Sequence, residues 1–273
     1  MNTKTIATTA NTLQFCGLLV LMQACSTSTD DGPDCRYNED WLNGRCSADL
    51  SLPAQPSGIW NGTDSEGRDV LLLVSVGGTY QFVDASGNQG WGFFPSGSRI
   101  MNGFELVSPL GQSFADGTTR ADCSFTGSLV ERETIDLTQE CTTSLGLRFS
   151  ETLAFDFNAL YDRGSSLDAI SGTYQVASGS VLSIAADGEV FMQDAVTDCV
   201  VNGRIIIMVS RSNLYRVTLQ HDGCTGPEAV LNGAEFSGFA LLDDTGTTDV
   251  LVVATIGDVG GTAVSLLHQG ARL

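Results

Sequence analysis

The chain has two histidines, His221 and His268, and 32 carboxylates. These are the side chains with which it could do acid–base chemistry. His221 and Asp222 are the right types for a base oriented by a carboxylate. Neighbours on a strand point to opposite faces, however, so adjacency alone does not build that pair. The dipeptide reads as a solvated hairpin end just before Cys224. His268 shares a face with Val264 and Leu266 and reads as a histidine at the edge of a core. The one lysine is Lys4, so nothing downstream can form a Schiff base, a Ser–Lys dyad or the lysine of a phosphate-binding loop. No G-x-S-x-G, H-E-x-x-H or C-x-x-C string occurs. Two carboxylates could hydrolyse a glycosidic bond, but the spacing singles out no pair. No catalytic residue is assigned.

Two Gly-rich stretches, Asp84 to Gly90 and Asp243 to Asp249, place oxygen-bearing side chains at alternate positions, as calcium would require. Neither carries the terminal glutamate of an EF-hand loop. Asp and Gly are also the ordinary residues of hairpin turns, which is the reading adopted. No metal and no cofactor is expected. The aromatic residues Trp91, Phe93 and Phe94 follow the first stretch. They form either an exposed tip able to bind a sugar or a partner, or a staple across one end of a barrel.

At the N-terminus, one positive charge (Lys4) precedes an apolar run from Phe15 to Met22. That is the layout of a secretory signal, too short to span a bilayer permanently. Ala24 and Cys25 close it, and the string Leu21 to Cys25 resembles the lipobox of bacterial lipoproteins. The resemblance implies cleavage before Cys25, acylation of Cys25 and a membrane link through the acyl chains. Ser26, where an inner-membrane retention signal would place aspartate, implies the outer membrane of a Gram-negative cell.

Without that segment, twelve arginines stand against 32 acids, a net charge of about −20. Such a chain repels nucleic acid and anionic lipid headgroups. The acidity reads as a solubility feature. Nucleic acid is therefore excluded as a partner. The partners left are the membrane, through the N-terminal lipid, and an envelope protein, a glycan or a small apolar ligand.

Six cysteines remain beyond Cys25: Cys35, Cys46, Cys123, Cys141, Cys199 and Cys224. In an exported chain they read as three disulfides. Cys123 and Cys141 are equidistant from position 132, and Cys199 and Cys224 from the Arg211–Ser212 peptide. Each midpoint falls in a turn between alternating runs, so each pair should bridge a hairpin. Cys35 and Cys46 then pair across a small loop holding Trp41 and Gly44.

Alternation organises the rest. Ile135 with Leu137, and Tyr215 with Val217 and Leu219, form apolar faces opposite polar ones. The run Ile205–Met208 is apolar on both faces and needs a cover. One plan reads twice in the residues themselves: Gly58-Ile59-Trp60 and Gly172-Thr173-Tyr174 open the copies, and Asp122-Cys123 with Gly127 matches Asp198-Cys199 with Gly203. About eight short strands per copy suit meanders closed into barrels. The expected organisation is a signal over 1–25, a tether with a small Cys loop over 26–57, and β-domains over 58–168 and 169–273. One large sandwich or barrel is the alternative. The Gly-x-Trp start resembles the first strand of calycin-type barrels such as lipocalins, where the tryptophan closes one end. With the joining stretch Tyr161 to Leu167 and the cysteine hairpins, residues 58–273 resemble an uncharacterised class of Gram-negative lipoproteins with tandem β-domains, which implies no activity. The expected function is a non-catalytic binding or envelope-interaction module. The alternatives are a structural accessory subunit of an envelope assembly and an acid-dependent hydrolase.

Overall fold

The computed structural model describes residues 39–42, 45–48, 55–94, 99–176, 179–194 and 196–273. Cys25, Cys35 and the signal lie outside the described residues. Contacts divide the chain into two units, Met1–Leu52 and Pro53–Leu273. In the first, β1 (Glu39–Leu42) and β2 (Arg45–Ala48) form an antiparallel hairpin in which Trp41 lies opposite Cys46.

The second unit holds two closed eight-stranded antiparallel barrels. The first runs β3 (Gly58–Asp64), β4 (Asp69–Val74), β5 (Thr79–Val83), β6 (Gln89–Phe93), β7 (Arg99–Val107), β8 (Arg120–Val130), β9 (Thr134–Thr143) and β10 (Arg148–Asn158). Closure comes from β10 pairing with β3, Phe157 opposite Trp60. The second barrel runs β11 (Gly172–Val176), β12 (Val181–Ile184), β13 (Glu189–Gln193), β14 (Val200–Ile207), β15 (Tyr215–Asp222), β16 (Glu235–Asp243), β17 (Val250–Val259) and β18 (Thr262–Arg272). It closes between β11 and β18, with Tyr174 opposite Arg272. Closure pairs the strands that would otherwise be exposed edges.

Both interiors are full. In the first barrel Tyr80, Phe82, Phe104 and Phe125 pack ring to ring, with Phe104 and Phe125 centroids 4.3 Å apart. Trp60, Leu72, Leu106 and Phe155 complete that core. In the second, Tyr174, Tyr215, Phe236 and Met192 pack among aliphatic side chains. Eight strands enclose a space just wide enough for such side chains. Apolar residues face in and polar ones out, as in Tyr215–Asp222, where buried and exposed positions alternate strictly. A membrane-spanning barrel shows the inverse pattern.

The aromatic residue that opens each barrel is anchored in the same way. Trp60 Nε1 donates to the Pro56 carbonyl at 2.8 Å, and the Tyr174 hydroxyl to the Ile170 carbonyl at 2.7 Å. An arginine lies near each. Arg132 sits 4.2 Å from the centroid of Phe157, which packs edge-on against Trp60. Arg272 sits 5.1 Å from that of Tyr174 and donates to the Ser171 carbonyl at 2.6 Å.

The cysteine hairpins depart from the expected duplication. Cys123 and Cys141 face each other across β8 and β9 and are bonded. Cys199 and Cys224 are also bonded, but they lie just outside the last ladder pair, Val200 opposite Asp222. Their hairpin centres on Arg211, and Gly223, at φ 67°, adds one residue on the returning side. The first disulfide joins the sixth and seventh strands of its barrel, whereas the second lies beside the fourth and fifth of its own. The shared Asp-Cys-x-x-x-Gly is therefore a local hairpin device and does not mark equivalent positions. Its glycine has a local cause: a Cβ on Gly127 would lie 1.9 Å from the Asp136 carbonyl oxygen, and one on Gly203 would lie 2.2 Å from that of Thr218.

The barrels share a third apolar core. Ile59 and Leu73, on outward positions of the first barrel, meet Phe239 and Leu241 of the second, with Leu160, Tyr161 and Leu214 between them. A 3-10 turn, Ala159–Arg163, and a single helical turn, Leu167–Ile170, join the barrels. Asn213 N–H bonds the Tyr161 carbonyl at 2.8 Å, and Arg163 pairs with Asp244 at 2.8 Å, which ties the joining segment to the second barrel. The doubly apolar run Ile205–Met208 resolves into three fates. Ile205 faces into the barrel, Met208 packs on the shared core, and Ile206 and Ile207 remain 46% and 37% exposed.

Candidate functional site in the cleft between the barrels

Next to the shared core the two barrels are joined by a buried amide network. Gln81 and Gln89 lie on outward positions of β5 and β6, yet both are buried. Gln81 Nε2 donates to Gln89 Oε1 at 2.7 Å. Gln81 Oε1 accepts the Phe239 backbone N–H at 3.0 Å, and Gln89 Nε2 donates to the Leu266 carbonyl at 2.9 Å. Ser265 adds bonds to the Gly87 and Ser108 carbonyls. Buried polar groups must find partners, and here each amide finds them across the barrel boundary.

Beside this junction a cleft of about 500 Å³ opens between the barrels. Thr79, Trp91 and Glu105 line it from the first barrel, and Arg216, Ser237 and Asp258 from the second. Gly238 lies at its base. A Cβ there would lie 2.0 Å from the Ala254 carbonyl oxygen of its own sheet and 2.7 Å from Gln81 Oε1 of the other barrel, so glycine relieves both contacts. Arg120 reaches Glu105 at 3.2 Å and Asp258 at 3.6 Å, which makes an ion bridge from one barrel to the other. Asp258 is exposed and Arg120 and Glu105 are only half-buried, so solvent screens the bridge and it adds little stability.

The aromatic cluster divides. Phe94 is buried and stacks on Tyr80 at 4.2 Å, as a staple would. Trp91 and Phe93 share the outward face of β6 and are 58% and 56% exposed. Glycines on the inward side of β6 make room for this arrangement, since a Cβ on Gly90 would meet the Phe104 ring at 2.5 Å.

His221 is not at a solvated hairpin end. It is 2% exposed inside the second barrel, its ring 4.9 Å from that of Phe236. The reason is the parity of β15: Tyr215, Val217 and Leu219 face inward, and His221 continues their row while Asp222 points out. Burial, then the neighbouring His268, pushes its pKa down to about 4. Burial also lowers that of His268, which lies inward on β18 with Val264 and Leu266. Among the described residues neither His221 Nδ1 nor His268 Nε2 has a hydrogen-bond partner.

A second charged group sits at the turns of the first barrel. Arg68 pairs with Asp64 at 2.6 Å, Glu66 at 3.4 Å and Glu151 at 3.7 Å. Burial raises the pKa of Glu151, with Asp84 and Asp64 adding to it. Burial likewise raises that of Asp84, against hydrogen bonds from Asn88 and Ser86. For Asp64 burial is outweighed by hydrogen bonds from Arg68 and Glu66, which leaves the pKa lowered. These carboxylates serve their own turns. Asp84 Oδ1 accepts the N–H groups of Ser86 and Asn88 at 2.8 and 2.9 Å. Asp243 does the same for Thr245 at 3.0 Å. Among the described residues no three metal-ligating side chains gather at one place.

No protein-family model matches the chain, and no curated protein matches it in sequence. What the structure defines is the class: an all-β protein of two tandem closed barrels bonded into one unit.

Proposed function

We propose that the protein is a non-catalytic binding module, held at the outer membrane by acyl chains on Cys25, that meets its ligand on its outer surface between the barrels. The observation that carries this reading is the contrast between filled interiors and an open cleft with an exposed tryptophan on its wall. A carrier of small apolar molecules would need the interior space that Phe82, Phe104 and Phe125 occupy. An exposed aromatic side chain beside a concave, mostly apolar surface with a few placed polar groups is how small-molecule and partner sites are commonly built. The polar outer walls and the acidic composition suit a chain hanging in water from a lipid anchor.

An accessory-subunit reading has one observation of its own. Val181 and Phe191 are exposed beside each other on the outer wall of the second barrel, over a shallow groove of about 430 Å³. Cell fractionation tests the tether. Cys25→Ser should move the folded protein from membranes to the soluble envelope fraction; a Cys25→Ser protein that stays with membranes overturns it.

A further inference from the structure

We infer that the cleft between the barrels is a saccharide site that takes a neutral oligosaccharide, one sugar ring stacked on Trp91 and its hydroxyls held by Arg216 and the hydroxyl side chains around it. The inference rests on the reading of the protein as a surface-binding module and names the ligand class for the same cleft.

Four observations converge. The first is the indole itself. Trp91 stands on a strand, so its position is fixed, yet it is 58% exposed. A rigid, open aromatic face suits the C–H face of a sugar ring, because it gains contact area at little cost in conformational entropy. The second is Arg216. It projects from β15 into the cleft and forms no ion pair among the described residues, although the chain carries 32 acids. Its guanidinium is free to donate in a fork to adjacent ring hydroxyls. The third is the set of groups that can both donate and accept, Thr79, Thr218 and Ser237, which line the same walls. Sugar hydroxyls need partners of both kinds, whereas an apolar ligand needs neither.

The fourth is charge. Arg120, beside the cleft, closes its Glu105 and Asp258 into a bridge, so with Arg216 on the wall two positive groups balance the two negative ones. A locally neutral site in a chain of net charge −19 repels polyanions at long range and offers no surplus charge for a cation. A neutral, hydroxyl-rich ligand fits that balance. The cleft's volume, about 500 Å³, is that of small-molecule sites, and it is open to solvent, so the ends of a longer glycan can leave it.

The test is calorimetric titration of the full chain, purified in a detergent without a sugar headgroup, with a panel of neutral trisaccharides: maltotriose, cellotriose, laminaritriose and tri-N-acetylchitotriose. At least one should bind. Trp91→Ala should weaken that binding at least tenfold and Trp91→Phe by less, with Arg216→Gln weakening it severalfold. Melting temperatures should stay unchanged, because both side chains are exposed. Failure of every trisaccharide to bind, or undiminished binding by Trp91→Ala, overturns the saccharide site. Mass analysis of the sugar after titration separates the two claims. A bound but cleaved sugar leaves the ligand class standing and overturns the non-catalytic reading. No binding, with Cys25→Ser still released from membranes, overturns the ligand class alone.

Discussion

Gln81 in the first barrel accepts the backbone N–H of Phe239 in the second through its side-chain Oε1, at 3.0 Å, with both residues buried. The two are 158 positions apart in the chain. Together with the Gln89 bond to Leu266, this pair makes the barrels one body and sets the base of the cleft. Gln81→Leu would leave Phe239 N–H and Gln89 Oε1 without their partner in a dry interface. Loss of about 1–3 kcal/mol is expected, the cost of orphaned buried polar groups. Urea unfolding reads it, and an unchanged midpoint would show that the network does not hold the barrels.

The glycines of the cysteine hairpins make a sharper prediction. A methyl group on Gly127 would lie 1.9 Å from the Asp136 carbonyl oxygen, and the backbone rather than a mobile side chain would have to yield. Gly127→Ala and Gly203→Ala should each cost about 1–3 kcal/mol. Ala at Gly67, in a turn with no neighbour within 4 Å but at φ 78°, should cost less, and thermal melts compare the three.

Each disulfide spans a moderate loop, with sequence separations of 18 and 25 residues. Removing either pair by double replacement with serine should lower stability by about 3 kcal/mol, through the entropy the open chain regains. Cys199→Ser and Cys224→Ser should lower the melting temperature equally, since each breaks the same bond. Unequal shifts would mean that one of the two sulfurs has another partner.

The two histidines give the stability a pH dependence of definite sign. His221 has a pKa of about 4 in the folded chain against an ordinary 6.5, because burial and His268 disfavour its charge. Between those values the unfolded chain binds a proton that the folded chain refuses. Stability is therefore complete above pH 6.5 and falls as pH drops toward 4. His221 alone should contribute a loss of about 2 kcal/mol between pH 7 and 5. Urea midpoints at the two pH values measure it, and His221→Gln should flatten the difference. A His221→Gln chain that loses as much stability as the wild type between pH 7 and pH 5 would refute the buried, neutral His221.

Most of the architecture was legible because closed meanders repeat simple signals. Alternation in Tyr215–Asp222 and in Thr134–Thr143 gave the inward faces, and turn residues gave the strand count. The pairing of Cys123 with Cys141 followed from hairpin symmetry about Arg132. What alternation showed less well was its own ends. His221 belongs to the buried row of β15, and only the strand's full length reveals that. The repeat in Asp-Cys-x-x-x-Gly misled, because a bridged hairpin needs a glycine beside the next strand wherever in a barrel it falls. The cleft had one visible member, Trp91. Arg216, Ser237 and Asp258 join it only through the packing of one barrel on the other, and no local pattern marks such distant neighbours. No local pattern marks Gln81 and Gln89 as buried, since their outward positions are covered by a second barrel the strand itself does not announce.

The account stands on ligand recognition from the outside of two filled barrels, and native mass spectrometry of the full-length Cys25→Ser protein, isolated fresh from the envelope, tests that most directly. The predicted result is a folded chain of bare mass, reduced only by its disulfide hydrogens, with no apolar molecule retained. A stoichiometric apolar molecule that stays until the chain unfolds would contradict the account and place binding inside a barrel.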